Sequence, residues 1–247
     1  MSTPRTVSDK EYVHERLGDE FRAALSDYDT LRRVEVLIDE FLTADMLRDR
    51  QVLEVGCGLG FFSERLHARG ARVLACDIGP GLVEKTRLRV GCESRVADAL
   101  RLEDEFGPDS FDVVLSSECI EHTPDPRAAI RQMARVLKPG GLLALSTPNV
   151  VWWPVVKAAT VLGLRPFCGH ENFSTFGGIR RTLAECGVRV ERERGLHAFP
   201  FQLGMHGLSR WLDRHAQAAR GLMINCCILA RKDGPAAIRS IPAAAAA

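Results

Sequence analysis

The chain has 247 residues, with 33 Lys and Arg against 32 Asp and Glu and a formal net charge of +1 at pH 7. Because 46% of the residues are hydrophobic and 26% are charged, the chain can bury a full core, and a single α/β domain with added elements is the default expectation. The balanced charge offers no general attraction to nucleic acid or anionic lipid, so we expect neither as a partner.

Residues 1–20 are polar and of mixed charge, without the apolar segment typical of a signal peptide or a membrane anchor. The eight cysteines include no C-x-x-C pair, which favours reduced cysteines that pack in the core. These features predict a cytoplasmic protein without a membrane span.

Residues 9–49 carry apolar side chains at helical spacing on two successive faces. We expect helices that either pack on the sheet or cap a ligand site. Tyr28, at the junction of the two faces, is a candidate substrate contact, and a turn residue is the alternative.

A β-branched and apolar run, residues 52–55, breaks into the glycine loop, residues 56–60, which contains Gly56, Cys57, Gly58 and Gly60. The run is typical of a buried strand, and the glycines let the backbone pass close to a ligand. Residues 61–66 then fit a helix whose N-terminus points at the same place. This stretch is a predicted ligand cradle.

The residues around the glycine loop narrow the choice of ligand. A phosphate-binding P-loop needs Lys-Ser/Thr after its last glycine, where this chain has Phe61-Phe62. The dinucleotide fingerprint would need glycine in place of Phe61, which weakens that interpretation but leaves it open. The acidic Glu54 favours a ligand with positive charge, such as the sulfonium and ammonium of S-adenosylmethionine.

Two further carboxylates follow predicted strands. Asp77 ends the strand 72–76, about twenty residues beyond the glycine loop, where a carboxylate can accept the hydroxyls of a ribose; a helix N-cap is the alternative. Asp98, followed by Ala99, ends the strand 94–97 and could accept the amine of adenine.

The pattern of strands and helices continues to residue 146. A strand at 111–117 leads to a helix at 128–137, a stop at the Lys-Pro-Gly-Gly segment 138–141, and a buried strand at 142–146. This alternation predicts a parallel sheet with helices on both faces.

Six motifs in order resemble those of the class I S-adenosylmethionine-dependent methyltransferases, and in particular the ubiquinone-biosynthesis O-methyltransferase type. The motifs lie at 54–60, 77, 98–99, 111–114, 121–126 and 137–141. The resemblance covers residues 50–150 and implies a Rossmann-like, seven-stranded, mostly parallel sheet of order 3-2-1-4-5-7-6. The last strand would be antiparallel and would span residues 220–231.

The same resemblance implies S-adenosylmethionine as the cofactor. The glycine loop and Glu54 would hold its methionine end, Asp77 its ribose, Ile78 and Asp98-Ala99 its adenine, and Ser117 and Glu118 would line the methyl-donor end. The implied cofactor-binding residues are Glu54, Gly56, Cys57, Gly58, Gly60, Asp77, Ile78, Asp98, Ala99, Ser117 and Glu118.

Choice of the methyl acceptor is expected to come from residues 150–174, a predicted helical lid. Its aromatic residues could line a pocket for an apolar or aromatic acceptor, or could simply cover the hydrophobic core. The candidate substrate contacts here are Trp152, Trp153, His170 and Phe173. Ser174 is predicted to cap a helix over 175–186.

A hydroxyl acceptor must lose a proton, and histidine suits that task. His122 and His170 are the candidate general bases, with His197 and His206 less favoured. No metal-ligand spacing stands out, so no metal is expected; a single Mg²⁺ held by scattered carboxylates would leave no local signature and is the alternative.

The sequence therefore predicts an S-adenosylmethionine-dependent methyltransferase that acts on a small-molecule hydroxyl. N- or C-methylation, a non-catalytic cofactor-binding protein and a nicotinamide-dependent oxidoreductase are the alternatives. A nucleic-acid methyltransferase is disfavoured because residues 116–119, Ser-Ser-Glu-Cys, lack the N/D-P-P-aromatic motif.

The predicted domain organisation has N-terminal capping helices at 1–49, the methyltransferase domain at 50–231 and a flexible tail at 232–247. A last helix at 207–219 is expected to pack through Leu208, Trp211, Leu212 and His215. The oligomeric state is left open, with a homodimer as one option.

Overall fold

Helices and strands alternate along the chain in the computed structural model, which describes residues 27–162, 171–199 and 204–234. The strands are β1 Gln51–Val55, β2 Arg72–Asp77, β3 Glu93–Val96, β4 Phe111–Ser117, β5 Leu137–Pro148, β6 Val188–Leu196 and β7 Asn225–Lys232. The α-helices are α1 Asp27–Val34, α2 Ala44–Leu47, α3 Phe61–Ala68, α4 Pro80–Val90, α5 Leu102–Phe106, α6 Pro126–Val136, α7 Trp153–Val161, α8 Phe176–Glu185 and α9 His206–His215. A π-helical segment, Glu35–Phe41, follows α1, and 3₁₀ turns lie at Ile120–His122, Val150–Trp152 and Gln217–Leu222.

The seven strands form one sheet in the order β3-β2-β1-β4-β5-β7-β6. Strands β1 to β5 pair in parallel, whereas β7 is antiparallel to both β5 and β6. This arrangement confirms the predicted α/β fold, strand order and antiparallel last strand.

Side chains of the central strands alternate between two buried layers, as the two-residue repeat of a strand requires. On β4, Val114 faces the layer that contains α6 and α8, while Val113 and Leu115 face the layer that contains the π-helical segment and α3. Helices therefore cover both faces, which explains why the parallel strands are apolar on both sides.

Several predicted boundaries differ from the structure. Strand β5 begins at Leu137 rather than 142, because Leu137 pairs with Phe111; the register then shifts over the Lys-Pro-Gly-Gly segment, and pairing with β4 resumes at Leu142. The last strand begins at Asn225 rather than 220, because a 3₁₀ turn precedes it. Thr175, not Ser174, caps α8: its Oγ1 accepts the Gly178 amide at 2.9 Å. Strand β7 also extends to Lys232, one residue into the predicted tail.

The face on which α9 was predicted to pack is wrong. Leu208 and Trp211 are 48% and 57% exposed, while the buried positions of α9 are Ser209 and Asp213. The helix packs through polar residues because Asp213 faces the buried guanidinium of Arg32 at 3.7 Å.

Several predicted features lie outside the described residues, among them the helical face within residues 9–26, His170 and the tail beyond residue 234. Within 27–162, 171–199 and 204–234, every helix is too short or too polar to cross a bilayer.

Asn149 ties the end of β5 to the turn before β7. It is 2% exposed, and its side-chain amide donates to the carbonyls of Gly221 at 2.7 Å and Met223 at 3.0 Å. The Asn149 amide N–H also donates to the Ile224 carbonyl at 2.7 Å. These bonds fix the segment on which β7 enters the sheet.

We expect Asn149→Asp to lower the free energy of unfolding by about 2–4 kcal/mol at pH 7, because a carboxylate would then face two buried carbonyls without a donor. Asn149→Ala, which loses the donors but adds no charge, should cost less. Urea denaturation measures both. A loss below about 0.5 kcal/mol for the Asp variant would contradict this role.

Candidate active site

The carboxyl ends of the parallel strands meet at one edge of the sheet, which we call the carboxyl edge. The strand order reverses between β1 and β4, and in open α/β sheets ligands bind at such a switch point. The glycine loop follows β1 there, and Ser117 and Glu118 lie at the end of β4. The predicted cofactor residues are thus brought to one place.

The glycine loop is fixed to the end of β2 by backbone hydrogen bonds. The amides of Gly56 and Cys57 donate to the Cys76 carbonyl at 2.8 Å and 2.9 Å. Gly56 has φ of +78°, and a Cβ built there would lie 2.5 Å from the Cys119 Sγ. Only glycine meets both demands, since the left-handed conformation and the close approach exclude a side chain.

Asp77 binds the glycine loop directly. Its Oδ2 accepts the Gly58 amide at 3.0 Å, and its Oδ1 accepts the Gly79 amide at 3.0 Å. A carboxylate oxygen has two acceptor positions, so each can accept a further ligand hydroxyl. The structure therefore combines a local turn contact with the geometry expected for ribose binding.

The candidate adenine contacts lie beside Asp77. The Asp98 Oδ1 accepts the Leu100 amide at 2.9 Å, and the Ala97 amide donates to the Asp77 carbonyl at 3.0 Å. Ala99 is buried, while Ile78 is half-buried and keeps part of its side chain available to a ligand.

Glu54 lies beneath the glycine loop rather than in the open. It is 2% exposed and accepts a hydrogen bond from the Ser63 hydroxyl on α3. Burial raises the pKa of Glu54 to about 8, with a smaller contribution from the charge of Asp77. These contacts support a structural role for Glu54, as a neutral carboxyl group that links β1 to α3. The contact of Glu54 with the methionine end of the cofactor stays a prediction.

A directional chain of hydrogen bonds crosses the carboxyl edge at β4 and β5. The Ser146 hydroxyl donates to the Glu118 carboxylate at 3.0 Å. In the hydrogen bond between the Ser117 and Ser146 hydroxyls, which are 2.9 Å apart, Ser117 is therefore the donor. Ser117 in turn accepts from the Arg33 guanidinium at 2.9 Å. Burial raises the pKa of Glu118, against the opposing effect of the Arg33 charge.

Arg33, Asp29 and His197 were not predicted as cofactor residues. Arg33 is 5% exposed and donates to Asp29 from Nη2 at 2.8 Å and from Nε at 3.3 Å. His197 is fully buried, with its Nε2 3.0 Å from the Asp29 Oδ1. The i, i+4 spacing of Asp29 and Arg33 on a helix was the available sequence signal.

The candidate base His122 ends the 3₁₀ turn after β4. Its Nε2 lies 3.5 Å from Oε1 of Glu121, a buried carboxylate that also accepts the Thr147 hydroxyl at 3.2 Å. The adjacent carboxylate can orient the imidazole, which is the arrangement expected of a positioned base. His170 lies outside the described residues.

The candidate acceptor residues are spread over separate places. Tyr28 stacks on His206 at 3.9 Å between ring centroids. Trp152 donates its indole N–H to the Leu222 carbonyl at 2.8 Å, and Trp153 is 43% exposed. Phe173 lines a cavity of about 350 Å³ together with residues 124–127 and Val150. Of the four residues, Phe173 alone lines this cavity, and their role toward an acceptor stays a prediction.

Sequence comparison places these motifs in a family. The chain is 44% identical over 167 residues to a ubiquinone biosynthesis O-methyltransferase of Xanthomonas euvesicatoria pv. vesicatoria, covering 63% of this chain and 70% of that protein. This chain belongs to the class I S-adenosylmethionine-dependent methyltransferases. A methyltransferase-domain profile matches residues 53–145 of this chain. The cofactor of the chain is S-adenosylmethionine.

Two further matches define the extent of the similarity. This chain is 44% identical over 124 residues to a ubiquinone biosynthesis O-methyltransferase of Xanthomonas oryzae pv. oryzae, and this match spans 47% of this chain and 50% of that relative. Its fold resembles a magnesium protoporphyrin IX methyltransferase of Synechocystis PCC 6803 with bound S-adenosylhomocysteine. The TM-score is 0.65 at 18% identity, over 91% of this chain and 100% of that one.

The raised pKa of Glu54 gives a pH-dependent stability. The unfolded carboxyl loses its proton near 4.5, whereas the folded one keeps it to about 8, so the stabilisation is full below the unfolded pKa and is lost as the pH rises to about 8. The slope approaches about 1.4 kcal/mol per pH unit within this window.

We expect the free energy of unfolding of the wild type, relative to Glu54→Gln, to fall between about pH 5 and about pH 8.5. The Gln variant keeps the shape and the contact with Ser63 but does not titrate. Urea denaturation across this range measures the difference. A difference that does not change with pH would show that Glu54 titrates normally.

Proposed function

We propose that the chain transfers the methyl group of S-adenosylmethionine to a hydroxyl of a small-molecule acceptor. The observation that carries the proposal is the direct contact between Asp77 and the glycine loop at the switch point of the sheet. The names of the two Xanthomonas relatives support an oxygen acceptor.

The adenosyl half of the cofactor fits the β2 and β3 side of the carboxyl edge. Asp77 would accept the ribose hydroxyls, Ile78 would pack on the adenine, and Asp98 with Ala99 would contact its edge. The glycine loop leaves room for the backbone to approach the ligand, because no side chain fills the space at Gly58.

The methionine half is a zwitterion and needs a cation and an anion. Arg33, a cation, and Glu118, a carboxyl group, lie at the two ends of the Ser117–Ser146 chain. The guanidinium would pair with the methionine carboxylate and Glu118 with the ammonium. A neutral Glu54 beneath the loop fits this division, since the charge pairing is provided elsewhere.

The bound cofactor supplies a sulfonium methyl that an aligned nucleophile can displace. The protein holds the acceptor in line, and such alignment contributes several kcal/mol. His122, oriented by Glu121, would take the proton of the acceptor hydroxyl. Tyr28, Trp152, Trp153, His170 and Phe173 are the proposed acceptor contacts, and N- or C-methylation are the alternatives.

Incubation with S-adenosylmethionine and catechol, a phenolic probe, should yield the methyl ether, detected by mass spectrometry. We expect His122→Gln to lower kcat by about 100-fold with little change in the KM for the cofactor, because it removes a base and not a binding group. His215→Gln, an exposed site on α9, is the matched control.

Transfer to sarcosine but not to catechol would contradict O-methylation and favour an amine acceptor. Binding of S-adenosylhomocysteine without transfer to either probe would favour a non-catalytic cofactor-binding protein. Unchanged kcat in the His122 variant would remove that residue from the proposed role.

A further inference from the structure

A buried polar chain joins the end of β6 to the carboxyl edge. His197, one residue past β6, faces Asp29 on α1; Asp29 binds Arg33 through both carboxylate oxygens; and Arg33 reaches Ser117 at the end of β4. His197 and Asp29 lie outside residues 53–145, where the family profile matches. The chain therefore links a distant part of the sequence to the proposed cofactor site.

The backbone is strained at two residues that flank Arg33 in the structure, His197 and Glu118. His197 has φ of +59° and Glu118 has φ of +51°, a left-handed conformation that costs a non-glycine residue about 1–2 kcal/mol. Such strain persists only where surrounding contacts enforce it, and it concentrates at functional sites. A glycine at position 197 would avoid the cost but would lose the contact between the imidazole and Asp29.

The charges around Arg33 explain why its orientation must be enforced. The guanidinium is attracted both to Asp29 and to Glu118 and Glu121 beyond Ser117. Although burial opposes ionisation, Arg33 and His197 together hold the pKa of Asp29 at about 2, so this carboxylate is charged. An Asp29 fixed by His197 keeps the guanidinium from turning fully toward Glu118.

Other charged groups also face His197. Asp213 on α9 lies close enough to His197 and Arg32 to interact with both, and burial raises the pKa of Asp213. The backbone amide of Ile224 donates to the His197 carbonyl at 3.0 Å. The imidazole thus faces acidic groups on α1 and α9, and the backbone of His197 is fixed by the residue that precedes β7.

We infer that His197 is a positioning residue that acts through Asp29 to hold the guanidinium of Arg33 toward the methionine carboxylate of the cofactor. This inference rests on the proposed function. It assigns cofactor affinity in part to a residue that does not touch the cofactor.

A double-mutant cycle tests the coupling, with affinity for S-adenosylhomocysteine measured by isothermal titration calorimetry. The variants are His197→Asn, Arg33→Gln and their combination. Asparagine tolerates the left-handed conformation, so the first variant removes the imidazole without adding strain. His215→Asn repeats the same change at an exposed histidine and should leave affinity unchanged.

We expect His197→Asn to weaken binding about tenfold in the wild-type background, the loss typical of a hydrogen bond to a charged group. In the Arg33→Gln background the same change should weaken binding by less than about twofold, because the group it positions is gone. Thermal unfolding of each variant without ligand reports the structural cost separately. A second variant, His197→Gln, replaces the Asn variant if that one does not fold.

Unchanged affinity in the His197 variant would overturn the inference, as would an equal loss in both backgrounds, which a purely structural link between β6 and α1 produces. Normal affinity of Arg33→Gln would overturn it too, because Arg33 would then not contact the cofactor. Absence of binding by the wild type would instead refute the proposed function, and the inference with it.

Discussion

The attachment of the glycine loop to the end of β2 is the constraint on which the site depends. The Cys76 carbonyl accepts two loop amides, and the Asp77 carboxylate accepts a third. Because β2 pairs with β1 along its whole length, these bonds set the loop at a fixed distance from the second strand. A ligand that enters the cradle must therefore meet the glycine backbone and Asp77 together.

The ionisable side chains at the carboxyl edge have different environments and therefore different roles. Glu54 is kept neutral by burial and serves packing between β1 and α3, whereas Arg33 brings a positive charge and Glu118 a carboxyl group to the switch point. The serine pair between them gives both groups a hydrogen-bonded partner, which offsets part of the cost of burying them. An arrangement of this kind suits a zwitterionic ligand better than a diphosphate.

Much of the shared core could be predicted from sequence. The apolar strands, the glycines and Asp77 predicted alternating strands and helices in a parallel sheet, because these signals are local, and the family resemblance implied the correct strand order. The start of β5 was misplaced, and the cap of α8 was misplaced by one residue. Proline and glycine in the segment 138–141 suggested a turn, and the structure shows an irregularity there: the register with β4 shifts between Leu137 and Leu142, and Gly140 has φ of +80°.

The polar connections between distant segments could not be predicted. Hydrophobic periodicity assigned α9 an apolar contact face, yet its buried positions are Ser209 and Asp213, and Asp213 faces the buried guanidinium of Arg32 on α1. His197 likewise has no sequence neighbour that signals its contact with Asp29, 168 positions away. Such pairs follow from the tertiary structure alone.

A crystal structure of the chain with S-adenosylhomocysteine tests the central claim most directly. The account predicts the ribose hydroxyls on Asp77, the methionine carboxylate on Arg33 and the methionine ammonium on Glu118, with the glycine loop in its present conformation. A ligand bound away from the carboxyl edge, or with its carboxylate turned from Arg33, would contradict it.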